Sequence, residues 1–400
     1  MTKENSNILI VNGGSSSIKF AIFDLGEMGD KIVSGQINKI GSKHPVFSYA
    51  NFNDEKDKIE IGSKDFTEAA GYLIDWLKKQ KYFDKIVCIG HRIVHGMEHN
   101  HPEVINEKLL NELKKITEYD PDHLPLEIEL IRLFQIHYPM LLQVACFDTS
   151  FHTTMPPVAK ILPIPRRFYN AGIRRYGFHG LSYAYLMGAL KNVGGSDESK
   201  GRIILAHLGN GASLVAVKDG KSIDTTMGFT PAGGLVMGSR PGDLDPGIAW
   251  YMMRSGQITA DEFNHLINQE SGLLGVSEIS SDMQDLLQKE ASDVRAADAI
   301  TLFCYQVKKC VGAFAAVLNG LDTMVFSGGI GENAPVIRSR ICEGLNYLGV
   351  ELDEDQNNLN GSVISKANSK IKVFVIPTDE ESMIAKDTRE LYLDTQNKSQ

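Results

Sequence analysis

The stretch Ile8-Leu9-Ile10-Val11-Asn12-Gly13-Gly14-Ser15-Ser16-Ser17-Ile18-Lys19-Phe20-Ala21-Ile22-Phe23-Asp24 decides how the chain is read. Residues 8–12 are a short apolar run of strand character, 13–17 a Gly/Ser turn, and 18–24 alternate like a second strand. The chain opens strand, tight turn, strand. Glycines let backbone N–H groups approach an anion, the serine hydroxyls add donors, and Lys19 supplies a point charge suited to phosphate. The pattern GxxxxGK[ST] is absent, so this is not a Walker A loop. Taken alone, the segment reads equally as a plain β-hairpin with a Ser-rich turn.

The pattern returns in the second half of the chain. Arg202 to Leu208 is strand-like, Gly209-Asn210-Gly211-Ala212-Ser213 turns the chain, and Leu214 to Lys218 is another strand. Asp219-Gly220 then signals a hairpin turn before Lys221. Two Gly-rich hairpins suggest an internal duplication, and facing each other they would clamp a nucleotide's phosphates. Phe66, Ala69, Ala70, Leu73, Ile74 and Leu77 have helical spacing. Ile86 to Gly90 and Leu141 to Phe147 read as strands, and Ala296 to Leu318 as one long helix. Met324 to Ser327 is a strand leading into Gly328-Gly329-Ile330-Gly331, with a helix from about Pro335. Lys372 to Ile376 is a last strand and Glu381 to Tyr392 a last helix. This mixture predicts α/β layers.

The 400 residues are enough for two or three domains. A net charge of −9 argues against a nucleic-acid or anionic-membrane surface. The first residues lack a signal-peptide pattern, and no apolar run of about 18 or more residues predicts a membrane span. Cys88, Cys146, Cys304, Cys310 and Cys342 include no CxxC pair and read as buried thiols. A cytoplasmic protein is expected.

Several further clusters carry polar chemistry. Gly328 to Pro335 satisfies GxGxxA, with Glu351 downstream, so a dinucleotide fold is the rival reading. Too little chain follows to build a dinucleotide-binding half, and a nucleoside-binding loop is preferred. Gly90-His91-Arg92-Ile93-Val94-His95-Gly96 follows a strand, and Arg92 is a fork donor for carboxylate or phosphate. His91, His95, His99 and His101 lack a standard metal spacing. Asp148 stands at the C-terminal end of a strand, where ligands bind in α/β sheets. Arg174 to Gly180 and Gly238 to Asp243 add guanidinium groups, an aromatic ring and an imidazole. Ile376 to Glu381 places acids after the last strand. Each alone could be a surface ion pair; together with three Gly-rich loops they point to phosphoryl chemistry.

In order, the blocks NGGSSSIK, GHRIVHG, FDTSFH, RRYGFHG, HLGNG, MGFTPAGGL, GSRPGD, GIGEN and IPTDEE resemble the acetate and propionate kinase family, from about Ile8 to Thr388. The resemblance implies an α/β, two-domain sugar kinase/actin/Hsp70-like fold with duplicated mixed β-sheet cores and ATP between them. It implies domains over 1–150, with a C-terminal helix at about 381–400 packing back, and over 151–380. It implies ATP-dependent phosphorylation of acetate to acetyl phosphate with Mg²⁺, in a homodimer. Asn12 and Glu380 would support the metal. Ser15, Ser17 and Lys19 would lie by the phosphates. Arg92 and Arg240 would hold the carboxylate and the transferring phosphoryl, His179 would stabilise the transition state, and Asp148 would be the catalytic acid. The chemistry itself favours Asp148 as a group that orients Arg92 or the metal's water shell, because an ionised carboxylate acceptor needs no base. His207, Leu208, Gly209, Asn210 and Gly211 would hold the nucleotide, with Asp282, Met283, Gln284, Gly329, Ile330, Gly331, Glu332 and Asn333. Val94, His123, Phe178 and Pro231 would line the acyl pocket.

Three departures touch the periphery. Asp122-His123-Leu124-Pro125 stands where the family has Leu-His-Asn-Pro, and Asp282-Met283-Gln284 where it has Asp-Met-Arg. His179-Gly180-Leu181-Ser182-Tyr183 replaces His-Gly-Thr-Ser-His. Alternatives are a propionate, butyrate or other short-chain carboxylate kinase, and a catalytically silent nucleotide-binding regulator. A silent relative would be expected to lose Arg92, His179, Arg240 or Glu380, and all four are present.

Overall fold

The computed structural model describes residues 6–398 except 15, 27–28, 52–55, 63–64 and 196–197. The chain divides into two compact units, Met1–Ser150 with Asp379–Gln400, and Phe151–Thr378.

The first unit is built on a sheet of order β5-β4-β3-β2-β1-β6-β8-β7. Its strands are β1 (Asn7–Gly13), β2 (Ser17–Asp24), β3 (Lys31–Asn38), β4 (Val46–Asn51), β5 (Lys56–Glu60), β6 (Ile86–Ile93), β7 (Glu103–Val104) and β8 (Leu142–Phe147). β1 is buried along its whole length, which is why Ile8 to Val11 reads as a continuous apolar run. Leu9, Val11 and Ile89 pack under the helices Phe66–Lys78 and Leu124–His137. On the other face Ile10 and Gly90 meet the C-terminal helix Glu380–Lys398. A Cβ on Gly90 would lie 2.8 Å from Ile384 and collide with Thr388, so glycine here permits the helix to close on the sheet.

The second unit carries β9 (Arg202–Leu208), β10 (Ala212–Lys218), β11 (Lys221–Thr225), β12 (Thr323–Ser327) and β13 (Lys372–Val375), in the order β11-β10-β9-β12-β13. β9 to β11 are antiparallel, and β12 and β13 continue in parallel with β9. The run β3-β2-β1-β6-β8 follows the same plan, so the duplicated mixed cores expected from the two hairpins are present. The helix Gly180–Val193 covers one face through Tyr183, Leu186 and Leu190. The helix Val294–Val317 is long and apolar enough to cross a membrane by length and composition alone. Its buried residues, among them Ala296, Ile300, Phe303, Val307, Val311 and Phe314, recur at helical spacing, while Asp298 and Lys309 are exposed. It is a core helix of this unit.

Two differences from the sequence reading have physical causes. Strands β3 to β5 escape notice because only scattered residues such as Val33, Ile37 and Phe47 are buried, leaving little alternation. The segment Gly328–Asn333, read as a loop, is a short helix. Gly328, at φ 76°, makes the turn off β12, and the Glu332 carboxylate accepts its N–H at 2.8 Å. The last helix, Glu380–Lys398, runs past the Tyr392 of the residue pattern, as far as the resemblance implied.

Candidate active site

In the first unit the functional side chains gather at the C-terminal ends of β1, β6 and β8. Arg92, at the end of β6, forms an ion pair with Asp148 through Nη2. Its Nη1 donates to Asn12 Oδ1 at 3.4 Å, and its Nε lies 3.9 Å from the Glu380 carboxylate. Asp148 is fully buried just beyond β8, where its N–H extends the ladder to the Ile93 carbonyl at 2.9 Å. Burial pushes the Asp148 carboxyl up to about 6, Arg92 pulling against it and Glu380 adding to it. Burial works against the Arg92 charge, but Asp148 and Glu380 outweigh it and hold the guanidinium protonated. Asp148 Oδ1 is buried without a hydrogen-bond partner.

The residues of this unit that the resemblance assigns to an acyl pocket lie close by. Val94 is buried, and its N–H, one step past the ladder, donates to both Glu127 oxygens at 3.2 Å. His123 caps the helix Leu124–His137 without a side-chain bond to it, its Nδ1 2.8 Å from Asp120 Oδ1. Asp122 is half-buried at the same turn. Burial, then Asp120, lifts the Glu127 carboxyl well above the usual carboxylate range.

Of the opening loop, Ser15 lies outside the described residues. Ser17 closes the turn by accepting the Gly14 N–H at 2.7 Å. Lys19 is exposed on β2 opposite Asn12, and lines a concavity of about 800 Å³ with Lys31, Gln36, Ser48 and Lys58. His91 is bonded to Gln143 at 2.7 Å and His99 to Glu103 at 2.6 Å, so the histidine run is dispersed. Among the described residues no group of three or more His, Cys, Asp or Glu is arranged to hold a metal ion.

In the second unit His179 caps the helix Gly180–Val193 in the left-handed region, at φ 59°. Its Nδ1 is 2.8 Å from Ser213 Oγ, and its ring stacks on His207 at 4.3 Å. His207 Nδ1 is held at 2.8 Å by Ser182, which also bonds Thr378 at 2.8 Å. A Cβ on Gly211 would lie 2.9 Å from Arg240 Nη2 and 3.2 Å from His179 Nε2, so both side chains converge on this glycine of the β9–β10 turn. Arg240 Nη1 donates to the Pro231 carbonyl at 2.8 Å. Phe178 is buried beside His179, its carbonyl accepting from His152 Nε2 at 2.9 Å. Arg175 is spent on the carbonyls of Thr225, Thr226 and Met227.

A cavity of about 550 Å³ in this unit is lined by Gly209, Asn210, Asp282, Met283, Gln284, Gly329, Ile330 and Asn333. These come from three separate segments singled out in the sequence. Leu208 and Gly331 are buried behind it. Glu332 faces away from ligand space: its carboxylate ties the N–H groups of Gly328 and Thr378, at 2.8 and 3.1 Å.

Two structural anchors were missed from sequence. Arg338 is fully buried and donates to the carbonyls of Gly331 and Glu332, and to Asn357 and Asn360, between 2.7 and 3.0 Å. Burial pulls it down to about 10, still charged at neutral pH. Arg338 and Glu127 each sit on the apolar stripe of their helices, beside Ile337 and Ile341 and beside Leu124 and Ile128. A charge at a core position of a helical pattern was the available signal.

Duplicated mixed sheets with polar groups at their strand ends are the sugar kinase, actin and Hsp70 fold, and this chain is a phosphotransferase of that class. It belongs to the acetokinase family, whose model matches residues 7–386. It is 41% identical over 393 residues to the acetate kinase of Clostridium botulinum (strain Alaska E43 / Type E3), covering 95% of this chain and 98% of that one. It is similar to the crystal structure of Porphyromonas gingivalis acetate kinase, with a TM-score of 0.87, 36% identity, and 97% and 100% of the two chains covered. It is also similar to that of a propionate kinase from Francisella tularensis subsp. tularensis SCHU S4, with a TM-score of 0.90, 38% identity, and coverage of 96% and 99%.

Proposed function

We propose that this chain transfers the γ-phosphate of ATP to acetate, reversibly, giving ADP and acetyl phosphate. The observation that carries the reading is the Arg92–Asp148 pair at the strand ends, with Asn12 and Glu380 beside it, in a chain of the acetokinase family. A carboxylate is already ionised at pH 7, so turnover reduces to positioning and charge neutralisation. Arg92 takes the acceptor carboxylate, and Asp148 aims the guanidinium without abstracting a proton. Arg240 and His179 meet the transferring phosphoryl group, and the Gly209–Gly211 turn receives phosphate on its N–H groups. The cavity lined by Asp282 to Gln284 and Gly329 to Asn333 takes the nucleoside.

Asn12, Glu380 and the unpartnered Asp148 Oδ1 offer oxygen donors only, which suits Mg²⁺ held through few protein ligands and the substrate's phosphates. When bound, the ion would supply positive charge to the phosphates. Propionate is a second acceptor in this reading, supported by the likeness to a propionate kinase. A homodimer is supported by the helix Pro246–Arg254, which buries none of its residues and leaves Trp250 and Tyr251 58% and 61% exposed. A cytoplasmic location is supported by five cysteines without a disulfide. Hydroxamate trapping of the acyl phosphate formed from acetate, propionate or butyrate with Mg·ATP tests the reading. Acetyl hydroxamate is expected, and no hydroxamate from any acid would refute it.

A further inference from the structure

Tyr183 stands where the family sequence has histidine, and the proposed reaction gives it no part. It is fully buried on the helix that His179 caps. Its hydroxyl is hydrogen-bonded to Ser213 Oγ. Ser213 Oγ, also fully buried, stands between the Tyr183 hydroxyl and His179 Nδ1.

The donors in this chain can be ordered. The phenol is the more acidic of the two hydroxyls, so it donates to Ser213 Oγ. Burial pushes the phenol above its ordinary range, so it keeps its proton. An imidazole nitrogen accepts better than a hydroxyl oxygen, so Ser213 turns its own proton to His179 Nδ1. An imidazole that accepts at Nδ1 carries its proton on Nε2. His179 Nε2 is the atom that converges with Arg240 on Gly211, where a phosphoryl oxygen would be received.

We propose that Tyr183 and Ser213 are positioning residues: a one-way hydroxyl relay, Tyr183 to Ser213 to His179 Nδ1, fixes His179 as an Nε2–H donor to the transferring phosphoryl group. This rests on the phosphoryl-transfer reading for the role of His179, while the relay itself can be measured without turnover. It also explains the left-handed backbone at His179, which a non-glycine residue adopts at a cost. The stacked neighbour has a similar arrangement, Ser182 joining His207 Nδ1 to Thr378. Both serines therefore hold an Nδ1 on the side away from the turn.

The test is long-range ¹H–¹⁵N correlation on ¹⁵N-histidine-labelled full-length protein, with His179 assigned by difference against His179→Gln. The wild type is expected to show His179 as the Nε2–H tautomer. Tyr183→Phe keeps the ring and its packing but removes the proton. It should mix the tautomers and lower kcat about tenfold to a hundredfold, with KM for ATP and for acetate unchanged. Tyr183→His should recover most of kcat, because imidazole can again donate to Ser213. A wild-type His179 found as the Nδ1–H tautomer, or doubly protonated at pH 7, would overturn the relay even in an active enzyme. So would a Tyr183→Phe protein with unchanged tautomer and kcat. Failure of the hydroxamate assay with an intact Nε2–H tautomer would refute the phosphoryl-transfer reading and leave the relay standing.

Discussion

At the residue scale, the buried pair Arg92–Asp148 makes the sharpest demands. Asp148 is held up to about 6 by burial, and only its ionised form anchors Arg92. Turnover should therefore be full above that value and fall as pH drops through about 6. Asp148→Asn should lower kcat/KM for acetate by about a hundredfold and flatten that acid limb in a pH–rate profile. Glu127 gives a prediction about stability. Its folded carboxyl holds a proton more tightly than in the unfolded chain, so its contribution is present below the ordinary carboxylate range and is lost as pH rises above it. Glu127→Gln can still accept the Val94 N–H, and its melting temperature should decline less between pH 5 and 8 than the wild type's. Arg92 and Asp148 were legible as residues at strand ends. Chemistry favoured Asp148 as a group that orients Arg92 or the metal's water shell; the geometry across 56 positions comes from the parallel register of β6 and β8, which sets Arg92 beside Cys146. Glu127 was hidden by the habit of reading charged helix positions as solvent-facing.

At the element scale, the legible parts were those whose burial pattern is simple. Strands buried on both faces, such as β1, β9 and β12, gave unbroken apolar runs. β3 to β5 have one poorly covered face, so their sequences lack a period to detect. The segment Gly328–Asn333 misled for a different reason. Its three glycines favour a loop by propensity, yet Glu332 caps the first turn and Arg338 takes the carbonyls at the end. That buried arginine should dominate the stability of this cavity-lining helix. Arg338→Met removes its hydrogen bonds and leaves those carbonyls bare, and should destabilise the protein by about 3 kcal/mol in urea unfolding. The KM for ATP should rise with it, because Gly329, Ile330 and Asn333 line the cavity. An Arg338→Met protein as stable as wild type would remove Arg338 from this role.

At the scale of the whole molecule, the duplication glimpsed in two Gly-rich hairpins is a repeated strand order in two units. In the proposed reaction the first unit would supply the groups for a small carboxylate, and the second the histidine, arginine and loops for a nucleotide. The exposed helix Pro246–Arg254 should be an interface in solution. Trp250→Glu with Tyr251→Glu should shift a dimer to monomer in sedimentation velocity, and a wild-type monomer would contradict this. Acyl-chain preference was not legible, because the turn around Asp122 and His123 departs from the family pattern. The most direct measurement of the central claim is acyl hydroxamate formation by the purified protein with Mg·ATP and acetate. ADP and acetyl hydroxamate should appear in equal amounts, and Arg92→Ala should abolish both. ATP consumed without any acyl phosphate, or neither product from acetate, propionate or butyrate, would contradict the account.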